Sequence, residues 1–119
     1  MLKEAMLALR VTDMEYAPEI CRLLKSAETD LKIAGILFNG TCVFTITETV
    51  DQTTGETTVS VTDSSTITDD AVKTAMITYA KMNFGSPPDY DKLAASYYLQ
   101  RRQLANTADY TDFLTEAET

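Results

Sequence analysis

The sequence predicts a mainly α fold, a small bundle of about four helices with a β-hairpin inserted near residues 42–62. Three observations lead there. Apolar residues recur at helical spacing through most of 2–34 and 69–105. Residues alternate with a period of two only near 43–62, and glycines or prolines stand where the helical runs stop.

The opening "MLKEAMLALR" carries Lys3, Glu4 and Arg10 around a short apolar stripe. That is an amphipathic helix; a secretory leader would need an unbroken apolar stretch. In "VTDMEYAPEI", Thr12 or Asp13 can cap a first turn, and Pro18 suits a helix start because it has no N–H to lose there. Ile20, Leu24, Ala27, Leu31 and Ala34 then form a stripe that Gly35 ends.

"CVFTITETV" and "ETTVSVT" read as the two strands, with Gly55 in "DQTTGE" free to take positive φ at the turn. Phe44, Ile46 and Val50 fall on one face, matched by Val59 and Val61, while Thr45, Thr47 and Thr49 fall on the other. A lone hairpin is marginal in water, so it has to lean on the helices or on a partner.

"TDDAVKTAMITYAKMNFG" is the third helix, with Thr68 as cap, Asp69 and Asp70 at its positive end and Gly85 as stop. Its polar arc is narrow (Lys73, Thr74, Thr78, Lys81), so it should be the central helix. Pro87 and Pro88 force a corner, and the fourth helix restarts at Asp89. Tyr90, Leu93, Tyr97 and Leu104 line its core stripe. Tyr98, Leu99 and Arg102 lie off it.

The net charge of −8 argues against affinity for nucleic acid or anionic membrane. The excess sits in two stretches: Glu48, Asp51, Glu56 and Asp63 in 35–68, where no Lys or Arg occurs, and Asp109, Asp112, Glu116 and Glu118 near the end. No apolar run approaches the roughly 20 residues of a membrane span. Cys21 and Cys42 form no CxxC and the chain has no histidine, so they read as reduced structural thiols rather than zinc ligands. No P-loop, GxGxxG or GxSxG is present, and no nucleophile lies beside a base. Asp69 and Asp70 read as dipole-complementing residues rather than a metal pair, and Glu15, Glu19, Glu28 and Asp30 as solvated helix-face charges. Arg101 and Arg102 read as ion-pair partners. The expectation is a protein without catalytic, cofactor or metal sites.

The order "EICRLLKSAETDLKIAGI", a variable excursion, "ITDDAVKTAMITYAKMNFG" and "DYDKLAASYYLQRRQLANTADY" resembles the head–tail connector proteins of tailed bacteriophages, also called head-completion or adaptor proteins. The similarity covers roughly residues 10 to 110 and rests on architecture and spacing. The Thr-rich hairpin is longer than the loop expected there. The resemblance implies residues 1–110 as a helical connector domain and 111–119 as an acidic tail. It implies a structural virion protein in the phage neck, assembled in the host cytoplasm. That protein would be a ring homo-oligomer, a dodecamer in the virion, lying under the portal protein and joined to a downstream neck or tail-completion protein. It also implies DNA passing through without specific binding. On that reading Tyr98, Leu99 and Arg102 belong at a subunit interface, and Tyr110, Phe113 and Leu114 dock to the portal or the next ring. Glu48, Asp51, Glu56 and Asp63 would face the lumen and repel phosphates. The alternative is a small acidic inhibitor that mimics DNA and binds a basic partner. An antitoxin-like regulator would need a basic DNA-reading element, which this chain lacks.

Overall fold

The structure is a computed structural model and describes residues 1–85 and 87–107. It is mainly helical with one antiparallel hairpin, as the periodicities predict. The elements are α1 (Leu2–Leu9), a 3₁₀ turn (Met14–Tyr16), α2 (Ala17–Ile33), β1 (Phe44–Val50), β2 (Thr57–Asp63), α3 (Asp70–Asn83) and α4 (Tyr90–Ala105).

α1 stops without a glycine. Arg10 takes the left-handed conformation at φ 58°, its N–H donates to Leu7 O, and the Val11 N–H donates to Met6 O at 2.9 Å. These two bonds close the last turn in the paired pattern usually built on glycine. A side chain there costs roughly 1 kcal/mol, so Arg10→Gly is expected to raise stability by about that amount in urea denaturation. α2 ends the same way with the residue the geometry prefers: Gly35 sits at φ 86°, and Ile36 donates back to Leu31 O while its side chain is fully buried.

Asp13 caps the 3₁₀ turn by accepting from the Glu15 N–H, and Pro18 lies in the first turn of α2. Ile20, Leu24, Ala27 and Leu31 are fully buried. Ala34, read as the end of that stripe, is the C-cap and is exposed, bordering an open cleft beside α4. At α3 the cap is Asp69 and not Thr68: its carboxylate accepts from the N–H groups of Ala71 and Val72, at 2.9 and 3.2 Å. α3 packs against α1, α2 and α4 and is the central helix. Thr78, assigned to its polar arc, is buried. Its hydroxyl donates to Thr74 O within the helix, which removes the cost of burying it. On α4, Tyr97 and Leu104 are buried and Leu93 is half-buried, but Tyr90 is 45% exposed. It is the first residue of the helix, where the stripe runs off the end of the bundle.

β1 and β2 pair without a bulge, from Phe44 opposite Asp63 to Val50 opposite Thr57. The base of the hairpin leans on the helices through half-buried Phe44 and Val61, whereas Ile46 and Val50 remain exposed. The molecule is correspondingly long, 64 × 33 × 19 Å. Entry and exit strands are stitched together by Thr66 N–H to Thr41 O, Thr41 N–H to Thr66 Oγ1 and Val43 N–H to Ser65 Oγ. Gly40 lies against this junction at φ 96°.

Candidate interaction surfaces

The outer face of α4 is built on a buried anchor. Tyr97 points inward, its ring edge-on to Tyr79 at 5.3 Å, and its hydroxyl donates to Asp30 of α2. Arg101 donates to the same carboxylate at 3.0 Å. Burial pushes the Tyr97 hydroxyl up, and the Asp30 carboxylate that accepts its proton pushes it further, so Tyr97 stays a neutral donor. Held by Asp30, the Arg101 guanidinium lies over the Tyr98 ring, 4.8 Å from its centroid. Tyr98 is thereby positioned on the surface, 49% exposed, and Leu99 beside it is 46% exposed.

Tyr98 and Arg102 line one shallow cleft of about 460 Å³ with Ala34, Arg101 and Ala105. Leu99 is not part of it. The structure therefore brings together two of the three residues expected at a subunit interface and leaves the third alongside on the same exposed face. Of the arginine pair, Arg101 makes the expected ion pair, with Asp30. Tyr110, Phe113 and Leu114 lie outside the described residues, as does the acidic tail.

The four hairpin carboxylates do not form one array. Asp51 and Glu56 are exposed at the turn, where Asp51 also accepts from the Thr53 N–H at 2.8 Å. Glu48 is exposed in mid-strand opposite Val59. Asp63 is no free surface charge. It accepts from the Leu2 N–H at 2.8 Å and from Ser65, and it lies 3.1 Å from the Met1 amino group. Burial acts to raise its pKa, but those hydrogen bonds win and hold it at about 2. A carboxylate lowered in this way adds stability above its unfolded value of 3.8, and that stability fades as pH falls through about 2. Asp63→Asn is thus expected to cost at most about 2 kcal/mol at pH 6 and almost nothing near pH 2, read from denaturation curves across that range.

Glu28 and Asp30, read as solvated charges, are both engaged. Glu28 accepts from the Thr41 hydroxyl at 2.9 Å, from the Cys42 N–H and from Lys32 at 3.3 Å, so it ties α2 to the entry of the hairpin. Burial would raise its pKa; the bonds from Cys42, Thr41 and Lys32 outweigh that and lower it. Glu28→Ala leaves the part-buried Cys42 N–H unpaired and is expected to cost about 1–3 kcal/mol. Faster amide exchange at Cys42, ahead of any change in the helices, is the measurement that checks it. The available signal was position: both carboxylates flank the Ala27–Leu31 edge of the buried stripe.

Cys21 and Cys42 are free and buried, and burial pushes their thiols up to about 11 and about 12. Both are therefore protonated packing residues. Among the described residues no group of three or more His, Cys, Asp or Glu is disposed to hold a metal ion. No described helix is long and apolar enough to cross a membrane. Comparison with protein-family models, with curated proteins and with solved structures finds no match.

Proposed function

We propose that this chain is a structural head–tail connector of a tailed bacteriophage, one subunit of a ring that continues the DNA channel below the portal. The observation that carries the reading is the division of the molecule. A compact helical body presents an exposed Tyr98–Leu99 face, and a long hairpin carrying only acidic charged residues projects from it. The α4 face supplies apolar area for a neighbouring subunit, with the Tyr98 ring stiffened by the Arg101 stack so that little ordering cost is added on docking. Glu48, Asp51 and Glu56, with no basic partner in the hairpin, give a surface that a DNA duplex slides past. Asp63 is withdrawn from that role because it is bonded to α1.

The test is mass in solution with and without purified portal rings, for the parent chain and for Tyr98→Ser/Leu99→Ser. The parent should form rings or bind the portal, and the double variant should lose assembly while keeping its helical signal. The reading fails if the parent stays monomeric and ignores portal rings. Tight binding to a basic protein by the acidic hairpin, with no ring formed, would instead establish the DNA-mimic inhibitor.

A further inference from the structure

We propose that the hairpin is an assembly strand pair: β1 of one copy adds edge to edge onto β2 of a second copy, extending the two-stranded sheet from subunit to subunit. The hydrogen-bond alternation identifies the groups involved. Val43 O accepts from the Ser64 N–H at one end, and Asp51 donates to Glu56 O at the other, both at 2.8 Å. Between them an antiparallel ladder alternates, so Thr45, Thr47 and Thr49 spend their N–H and C=O groups inside the hairpin. The backbone groups of Ile46, Glu48 and Val50 then point outward from β1, and those of Thr57, Val59 and Val61 outward from β2. Among the described residues no backbone hydrogen bond between elements engages these six.

Proteins blunt exposed edges with proline, charged side chains (lysine above all), bulges or a covering segment, and the one such charge in mid-strand here is Glu48. Residues 44–63 contain no Pro, Lys or Arg, and the register runs pair by pair without a bulge. At its base β2 is tied to α1 through Asp63, and Val61 packs toward α1 and the 3₁₀ turn, so the open part of its edge is the outer part, at Thr57 and Val59. Ile46 and Val50 are 42% and 59% exposed on the face that continues the Phe44 packing surface, with exposed Glu48 between them.

A second copy fits these edges by register. Repeating the register of the hairpin between copies places Glu48 opposite Val59 of the next copy, as it is within one chain; among the strand pairs no two carboxylates face each other, and only past the strand ends does Asp51 meet Glu56. Pairing β1 with β1 about a two-fold axis at Glu48 would set like charges opposite, which is destabilising. β1 to β2 is a head-to-tail contact, and such contacts close into a ring when the rotation per copy permits. The proposal does not depend on the connector reading, because the open edges and their register are properties of the hairpin itself.

Amide exchange on the full-length chain, at dilution and at millimolar concentration, tests it. On assembly the amides of Glu48, Val50 and Val59 should slow by about tenfold or more, while Thr47, already paired, changes little. Glu48→Pro and Val59→Pro each remove one outward N–H and spare the internal ladder. Both should abolish assembly with the helical signal unchanged. A chain that stays monomeric at millimolar concentration overturns the proposal. So does assembly that leaves those amides unprotected, and so does a dimer sensitive to Val59→Pro but not to Glu48→Pro, which would mean β2 pairing with β2. Assembly lost in Tyr98→Ser/Leu99→Ser with the hairpin amides never protected sinks this inference and leaves the connector reading standing.

Discussion

Gly40→Ala is expected to remove about 3–5 kcal/mol, a large part of the 5–15 kcal/mol typical of a domain. Two effects add. The φ of 96° costs a side chain roughly 1–2 kcal/mol. The new Cβ would lie 2.6 Å from the carbonyl carbon and oxygen of Thr66 and 2.7 Å from the Ile67 nitrogen. Those are backbone atoms of the strand exit, held by the bonds to Thr41, and Ile67 is buried, so the clash opens the junction instead of rotating away. Gly55→Ala is the control. Gly55 also has positive φ, but nothing lies within 4 Å of its would-be Cβ, so only the strain applies. If urea midpoints shift equally for the two variants, the close approach at Thr66 contributes nothing and the account of the junction is wrong.

The second large effect belongs to Tyr97, among the largest fully buried side chains. Tyr97→Ala should cost about 3–5 kcal/mol through the cavity it leaves between α3 and α4. Tyr97→Phe keeps the ring and its edge contact with Tyr79 and isolates the hydroxyl, at about 1–2 kcal/mol. Because that hydroxyl and Arg101 meet on one carboxylate, Tyr97→Phe and Asp30→Ala share a loss. The double variant should be less destabilised than the two single effects added together, by about 0.5–3 kcal/mol. Strict additivity in denaturation would mean that Asp30 does not hold Tyr97.

What could be read from the sequence was whatever repeats locally. The stripe Ile20–Leu24–Ala27–Leu31 announces its buried face because every member is apolar at helical spacing. The hairpin is equally plain from β-branched alternation around Gly55. Thr78 was misassigned because a pattern of apolar and polar letters cannot show a hydroxyl satisfied four residues back along its own helix. Tyr90 was misassigned because an angular projection has no ends. Glu28 and Asp30 looked like solvent charges because their partners lie far along the chain: Cys42 and Thr41 for one, Tyr97 and Arg101 for the other. The exposure of Tyr98 and Leu99 was legible as departure from a stripe. The stack that stiffens Tyr98 was not, since it depends on where Asp30 places Arg101.

The two buried thiols give the molecule a pair of built-in clocks. Neither can react with a disulfide reagent until it is both uncovered and able to ionise, so modification counts opening events. They belong to different elements on one seam: Cys21 lies within the α2 packing surface, and Cys42 at the foot of the hairpin is held by Glu28 with its thiol against Leu24 O. In chains carrying only one of them, Cys42 should be labelled through release of the hairpin foot alone, while Cys21 should wait for the helices to separate. The ratio of the two rates then measures how independently the hairpin can detach from the body that carries it.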